Sequence, residues 1–180
     1  MLEKALWASS TYASEAKVEK NDDYEMVKIP IAKSHDKHLA AATAFLSAQG
    51  IHKTQGPGNA YKYEFEQVLS DIELIDLMSS SGGDLSPRTE VEHWAYFNSL
   101  KGARIYAKAL LSQKYEIRDF GPLKGTRKVL VKFAHAGTLQ LTDISARTMR
   151  LDREARRQNG LYDGWEVTVD ARGNLKPAEQ

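Results

Sequence analysis

The stretch "VEHWAYFNSLKGARIYAKALLSQKYEIRDF" (residues 91–120) decides the fold. Its first seven residues put Val91, His93, Ala95 and Phe97 on one side of a strand and Glu92, Trp94 and Tyr96 on the other. Large apolar groups on both sides mark a central strand. Asn98 or Ser99 then supplies an N-cap, and Leu100, Ala103, Ala107 and Leu110 recur at helical spacing through residue 113. "YEIRDF" (115–120) returns as a second strand. Strand, helix and strand within thirty residues give a β-α-β unit.

Working outward, "GPLKGT" is turn chemistry and "KVLVKF" (128–133) is a strand with Val129, Val131 and Phe133 on one face. Residues 139–158 carry Leu141, Ile144, Thr148, Leu151 and Ala155 along one helical stripe, and the helix ends at Asn159-Gly160. "YDGWEVTV" (162–169) is the closing strand, with Trp165, Val167 and Val169 on a common face. The order is β-α-β-β-α-β, which predicts an α+β fold of ferredoxin-like type. Upstream, "YEMVKIPIA" (24–32) and "YKYEFE" (61–66) read as strands, and Ser34 caps a helix that closes at Gly50. "GPGN" (56–59) is a turn, and an extra strand is expected near residues 4–12. "QVLSDIELIDLMSSSGG" reads as a helix from residue 67, apolar around most of its girth and therefore packed between two surfaces. Helix ends "AFLSAQGI" (44–51) and "ALLSQKYE" (109–116) align. Two tandem ferredoxin-like units follow as an expectation: residues 1–66, residues 67–169, and a polar tail at 170–180.

The 180 residues suit one domain or two small ones. Twenty-five Lys and Arg against 24 Asp and Glu leave a net charge of +1, so no global field draws the chain to nucleic acid or membrane. The absence of cysteine removes disulfides, thiol catalysis and cysteine–zinc sites. "MLEKALWASSTY" lacks the apolar core of a signal peptide, and no apolar run reaches the roughly 20 residues of a membrane helix. The cytoplasm is the expected compartment.

Candidate chemistry is sparse. In "YDGW", Asp163-Gly164 suits a bulge, and Trp165 either plugs the core or, with Tyr162, frames an aromatic anchor beside Asp163. Glu92 and His93 point to opposite faces and cannot serve one substrate atom. His35 and His38 share a helix face, but no third ligand is marked nearby. Arg147, Arg150, Arg153, Arg156 and Arg157 lie opposite the apolar stripe of their helix, broken by Asp152 and Glu154. That strip reads as a solvated face, or as a track for RNA phosphates or an acidic partner segment. No phosphate-binding loop, Ser/His/Asp set or H-E-x-x-H motif is present. No cofactor is expected.

Three stretches, "LIDLMSSSGGDLSPRTEVEHWAYF" (74–97), "GARIYAKALLSQKYEI" (102–117) and "LYDGWEV" (161–167), resemble in order and spacing the ribonuclease E inhibitor family known as regulator of ribonuclease activity B. The resemblance covers roughly residues 70–169. It implies a ferredoxin-like fold and a non-catalytic protein that binds a ribonuclease and modulates RNA degradation. Members tend to be acidic where this chain is balanced, and the N-terminal half has no counterpart. Tyr162, Asp163 and Trp165, with Glu92, Trp94 and Tyr96 on the neighbouring strand, are the expected partner contacts. The alternatives are an RNA-binding module using Arg147, Arg150, Arg153 and Arg157, or a small-molecule sensor or enzyme with a pocket between the two halves, which a cleft lined by His93, Trp94 and Tyr96 would favour.

Overall fold

The computed structural model describes residues 5–9, 18–21, 24–27, 35–53, 60–80, 84–169, 175 and 178. In chain order the elements are β1 (Ala5–Ser9), β2 (Val18–Asn21), β3 (Tyr24–Val27), α1 (His35–Ala48), α2 (Ala60–Ser80), β4 (Thr89–Phe97), α3 (Leu100–Ser112), β5 (Glu116–Pro122), β6 (Val129–Gly137), α4 (Leu141–Arg157) and β7 (Gly160–Thr168). The fold is α+β. Five strands form an antiparallel sheet in the order β1-β7-β4-β6-β5, and β2 and β3 form a separate antiparallel pair.

The β-α-β-β-α-β order read from residues 91–169 is present, with β4 central as its two-sided pattern required. The side chains of Val91, His93, Ala95 and Phe97 are buried under α3 and α4, while Glu92, Trp94 and Tyr96 face away. Ser99 caps α3, its Oγ accepting from the Gly102 amide at 3.1 Å. Gly102 is needed for contact as well: a Cβ there would stand 2.6 Å from the Gln158 carbonyl at the end of α4. Tyr106 joins Ala103 and Leu110 on the inward face of α3, whereas Leu100, expected inward, is exposed. Tyr106 packs against Phe97 and Phe133 beneath the sheet.

Two expectations for the first half are corrected. Residues 61–66 are not a strand but the first turns of α2. Alternation at 61, 63 and 65 also contains an i,i+4 pair, and Tyr61 and Phe65 stack along the helix at 5.9 Å. The helical spacing of Val68, Leu69 and Ile72 then continues the same element, and six residues were too few to separate the two periods. The element order expected of a second ferredoxin-like unit is therefore not found among the described residues, which run β-β-β-α-α before β4. β1 adds to the edge of the main sheet by pairing with β7, as the extra strand near residues 4–12 anticipated. Residues 28–34 and the 56–59 turn lie outside the described residues, as does the side chain of His35.

α2 is packed on two sides, as its girth of apolar residues requires. Val68, Leu69 and Ile72 meet Ala42 and Leu46 of α1 and Met149 of α4. Leu74 and Met78 reach the sheet with Val91, Ile144, Trp165 and Val167. All the described helices thus lie on one side of the main sheet. At about 25 cal/mol for each Å² of apolar surface removed from water, these clusters dominate the stability of the fold.

Candidate functional site

The "YDGW" corner of β7 is built around a bulge. Trp94 pairs with Gly164 and Ala95 with Tyr162, so Asp163 is the extra residue, and Gly164 takes a φ of 129°. Without a bulge, Tyr162 and Trp165 would point to opposite faces; with it both point inward. They are 1% and 0% exposed. Trp165 therefore plugs the core, and the reading of Tyr162 and Trp165 as an exposed aromatic anchor is corrected. Asp163 is itself nearly covered.

What Trp165 meets was not foreseen. Its Nε1–H donates to Asp71 Oδ1 at 2.8 Å, and Gln67 Nε2 donates to the same oxygen at 3.0 Å. Asp71 Oδ2 accepts from Ser145 Oγ at 2.8 Å and Thr148 Oγ1 at 2.6 Å. One fully buried carboxylate thus fastens α2 to α4 and β7. Burial pushes its pKa up to about 6 against four hydrogen bonds that favour the charged form. Two signals for it existed: a lone acid amid Val68, Leu69 and Ile72, and an inward indole whose N–H needs an acceptor.

A second polar chain crosses the core. His93 Nδ1 lies 2.7 Å from the Tyr162 hydroxyl, and its Nε2 lies 2.9 Å from His135 Nδ1. Burial, then the charges of His135 and Arg147, hold His93 well below the ordinary histidine pKa. His135 is lowered to about 3, by burial and then by Arg147, Arg88 and Arg150. Both rings are neutral at pH 7, and each shared proton sits between two neutral groups. His93 stacks on Phe133 beneath the sheet, on the face opposite Trp94 and Tyr96. No cleft can be lined by these three together.

Among the described residues, no helix covers the other face of β4. Glu92, Trp94 and Tyr96 form a row there, each partly exposed. Lys132 of β6 pairs with Trp94 and holds its Nζ 4.9 Å above the indole and 3.0 Å from Glu92. Lys128 Nζ sits 5.9 Å from the Tyr96 ring, and Leu161 at the start of β7 is 45% exposed. Glu166 pairs directly with Glu92 across β7 and β4. Burial, then the Glu92 charge, raises Glu166 to about 7. The result is an aromatic row flanked by two lysines and two carboxylates.

The arginine strip of α4 is divided by its partners. Arg153 meets Glu64 at 2.5 Å, Arg156 meets Asp152 at 2.6 Å, and Arg157 meets Glu154 at 3.2 Å. Arg147 donates instead to the Tyr115 hydroxyl at 3.1 Å, and Arg150 lines a surface cavity. The strip is not a continuous free cationic track. His38 is bound to Asp76 at 3.1 Å, beside Lys37 at 2.9 Å. Among the described residues no group of three His, Asp or Glu could hold a metal, and no helix is long and apolar enough to cross a membrane.

Comparison with known families agrees with the resemblance noted in the sequence. The model for the family described as regulator of ribonuclease activity B matches residues 70–167, more than half of the chain. The matched span begins one residue before Asp71 and closes with Val167, so it holds Asp71 with its partners Ser145, Thr148 and Trp165 but not Gln67, together with both histidines of the core chain and the whole open row. No curated protein matches. The chain belongs to this family, which regulates ribonuclease activity.

Proposed function

We propose that this member of the regulator of ribonuclease activity B family modulates RNA degradation without chemistry of its own, by binding an endoribonuclease of the ribonuclease E type. The contact surface is the open sheet face, with Trp94 and Tyr96 at its centre and Glu92, Lys132 and Glu166 around them. The observation that carries the reading is the Trp94–Tyr96 row: two amphipathic rings held stiffly on a central strand, on the face away from the helices. Rigid aromatic side chains are the usual anchors of protein interfaces, because they cover much area for little lost rotamer freedom. Asp163, itself nearly covered, acts through the bulge it makes beside Gly164 and the charge it places near Tyr96.

The sheet order β7-β4-β6-β5, with α3 and α4 on one side, supports a ferredoxin-like unit over residues 67–169. Residues 1–66 add β1 to its edge and α1 to its back. The protein works in the cytoplasm, where its partner meets RNA. Binding to RNA through the α4 strip is the weaker reading, since three of its five guanidiniums are neutralised in place.

The test is capture of an endoribonuclease from a bacterial lysate with and without nuclease treatment. Retention after RNA removal, lost in a Trp94→Ala, Tyr96→Ala variant, supports the reading. Recovery that depends on RNA, or that survives the double substitution, contradicts it.

A further inference from the structure

Where β6 ends and α4 begins, Arg88, Arg147 and Arg150 line a cavity of about 340 Å³, with Thr138, Thr142 and Asp143 in the same wall. This lies at the end of the sheet and is separate from the open row of Trp94 and Tyr96. The three arginines differ from the others of α4. Arg153, Arg156 and Arg157 each end on a carboxylate. Arg88 donates to the Ala136 carbonyl at 2.9 Å and Arg147 to the Tyr115 hydroxyl, both neutral acceptors. Among the described residues, no carboxylate pairs with Arg88, Arg147 or Arg150. The one acid in the wall, Asp143, accepts from Thr138 Oγ1 at 2.5 Å and leaves the cavity with two uncompensated positive charges.

That excess acts on the neighbouring core. His135 lies directly behind the wall: a Cβ on Gly137 would meet its Nε2 at 2.7 Å. After burial, the causes that hold this ring neutral are the charges of Arg147, Arg88 and Arg150. Three guanidiniums gathered at one wall, with Asp143 the one acid beside them among the described residues, leave a positive patch that an anion complements.

We propose that this cavity binds a terminal phosphate group, a phosphomonoester carried by a small molecule or by the 5′ end of an RNA. Its dianion matches the net charge of the wall, whereas a carboxylate leaves one charge over. Its three terminal oxygens can accept from three forked donors at once. The volume admits the phosphate with part of the group that carries it. The site does not depend on ribonuclease capture by the sheet face, so either can fail alone.

The experiment is calorimetric titration of the full chain at fixed ionic strength. The probes are adenosine 5′-monophosphate against adenosine, a 5′-phosphorylated oligoribonucleotide against its 5′-hydroxyl form, and hexaglutamate. At least one phosphorylated probe binds about tenfold tighter or more than its unphosphorylated counterpart. Preference for the mononucleotide marks a free metabolite, and preference for the oligonucleotide marks an RNA end. Arg150→Ala, at an exposed position, weakens that binding about tenfold or more, and Arg150→Lys restores only part of it. Equal binding of phosphorylated and unphosphorylated probes, tighter binding of hexaglutamate, or an Arg150→Ala variant that binds like the parent overturns the proposal.

Discussion

The indole Nε1 of Trp165 donates to Asp71 Oδ1 at 2.8 Å across 94 positions of sequence, and the carboxylate that receives it is wholly buried. The bond joins the last strand to a helix that precedes the first strand of the family-matched sheet. Asp71→Ala strands the N–H donors of Gln67 and Trp165 in the core and leaves two hydroxyls without their acceptor. The expected cost is about 3 kcal/mol, read as a lower denaturant midpoint with the slope unchanged. A loss below about 0.5 kcal/mol would show that the clasp is replaceable by water.

Tyr162 belongs to the core network and not to the contact surface. Tyr162→Phe removes the hydroxyl from His93 Nδ1 and costs about 1–2 kcal/mol of stability. Because the ring stays in place, affinity for the ribonuclease is unchanged. Denaturation and binding measured on the same preparation separate the two effects.

Gly160 opens β7 directly opposite Phe97, and a Cβ at that position would meet the Phe97 ring at 2.3 Å. Gly160→Ala therefore forces the ring or the strand aside and lowers stability by about 1–3 kcal/mol. Gly121→Ala, at a position with open space around it, is the matched control and leaves the melting temperature within a degree or two of the parent.

Glu166 sets a pH dependence whose sign follows from its raised pKa. Between its ordinary value near 4.5 and its folded value of about 7, the folded protein holds the proton that the unfolded chain has released. Its contribution therefore falls as pH rises through that window. Glu166→Gln removes the penalty, so the variant melts above the parent at pH 8, by about 1 kcal/mol after allowing for solvent screening, and like the parent near pH 4. His93 and His135 act in the opposite sense, since their folded pKa values are depressed: the stability they confer is lost as pH falls below about 6.5. Thermal melts of parent and variant at matched pH values isolate the Glu166 part.

The portion of the fold from residue 89 onward was legible because each element declares its own period. The two-sided strand at 91–97 marked itself as central, and Ser99 and Asn159-Gly160 punctuate the helices that flank the sheet. The beginning of α2 was not legible, because Tyr61 and Phe65 are an i,i+4 pair as well as part of an alternation, and six residues do not separate the two periods. β2, with the sequence VEKN, carries no alternation of apolar residues and gave no signal. Of the candidate contacts, Glu92, Trp94 and Tyr96 do share one open face, which follows from strand periodicity alone. Tyr162 and Trp165 turned inward because the Asp163 bulge resets their phase, and the bulge is visible only in the pairing with β4. The fate of the arginines was equally hidden: Glu64 lies 89 positions from Arg153.

Trp94 and Tyr96 are the proposed contact with the ribonuclease. The most direct measurement is the dissociation constant of the purified chain for the endoribonuclease, parent against Trp94→Ala, Tyr96→Ala, with circular dichroism to confirm that both are folded. The folded double variant is expected to bind about 100-fold more weakly or worse, two anchor side chains at about 2 kcal/mol each being ample for that loss. A folded double variant that binds within about threefold of the parent would contradict it.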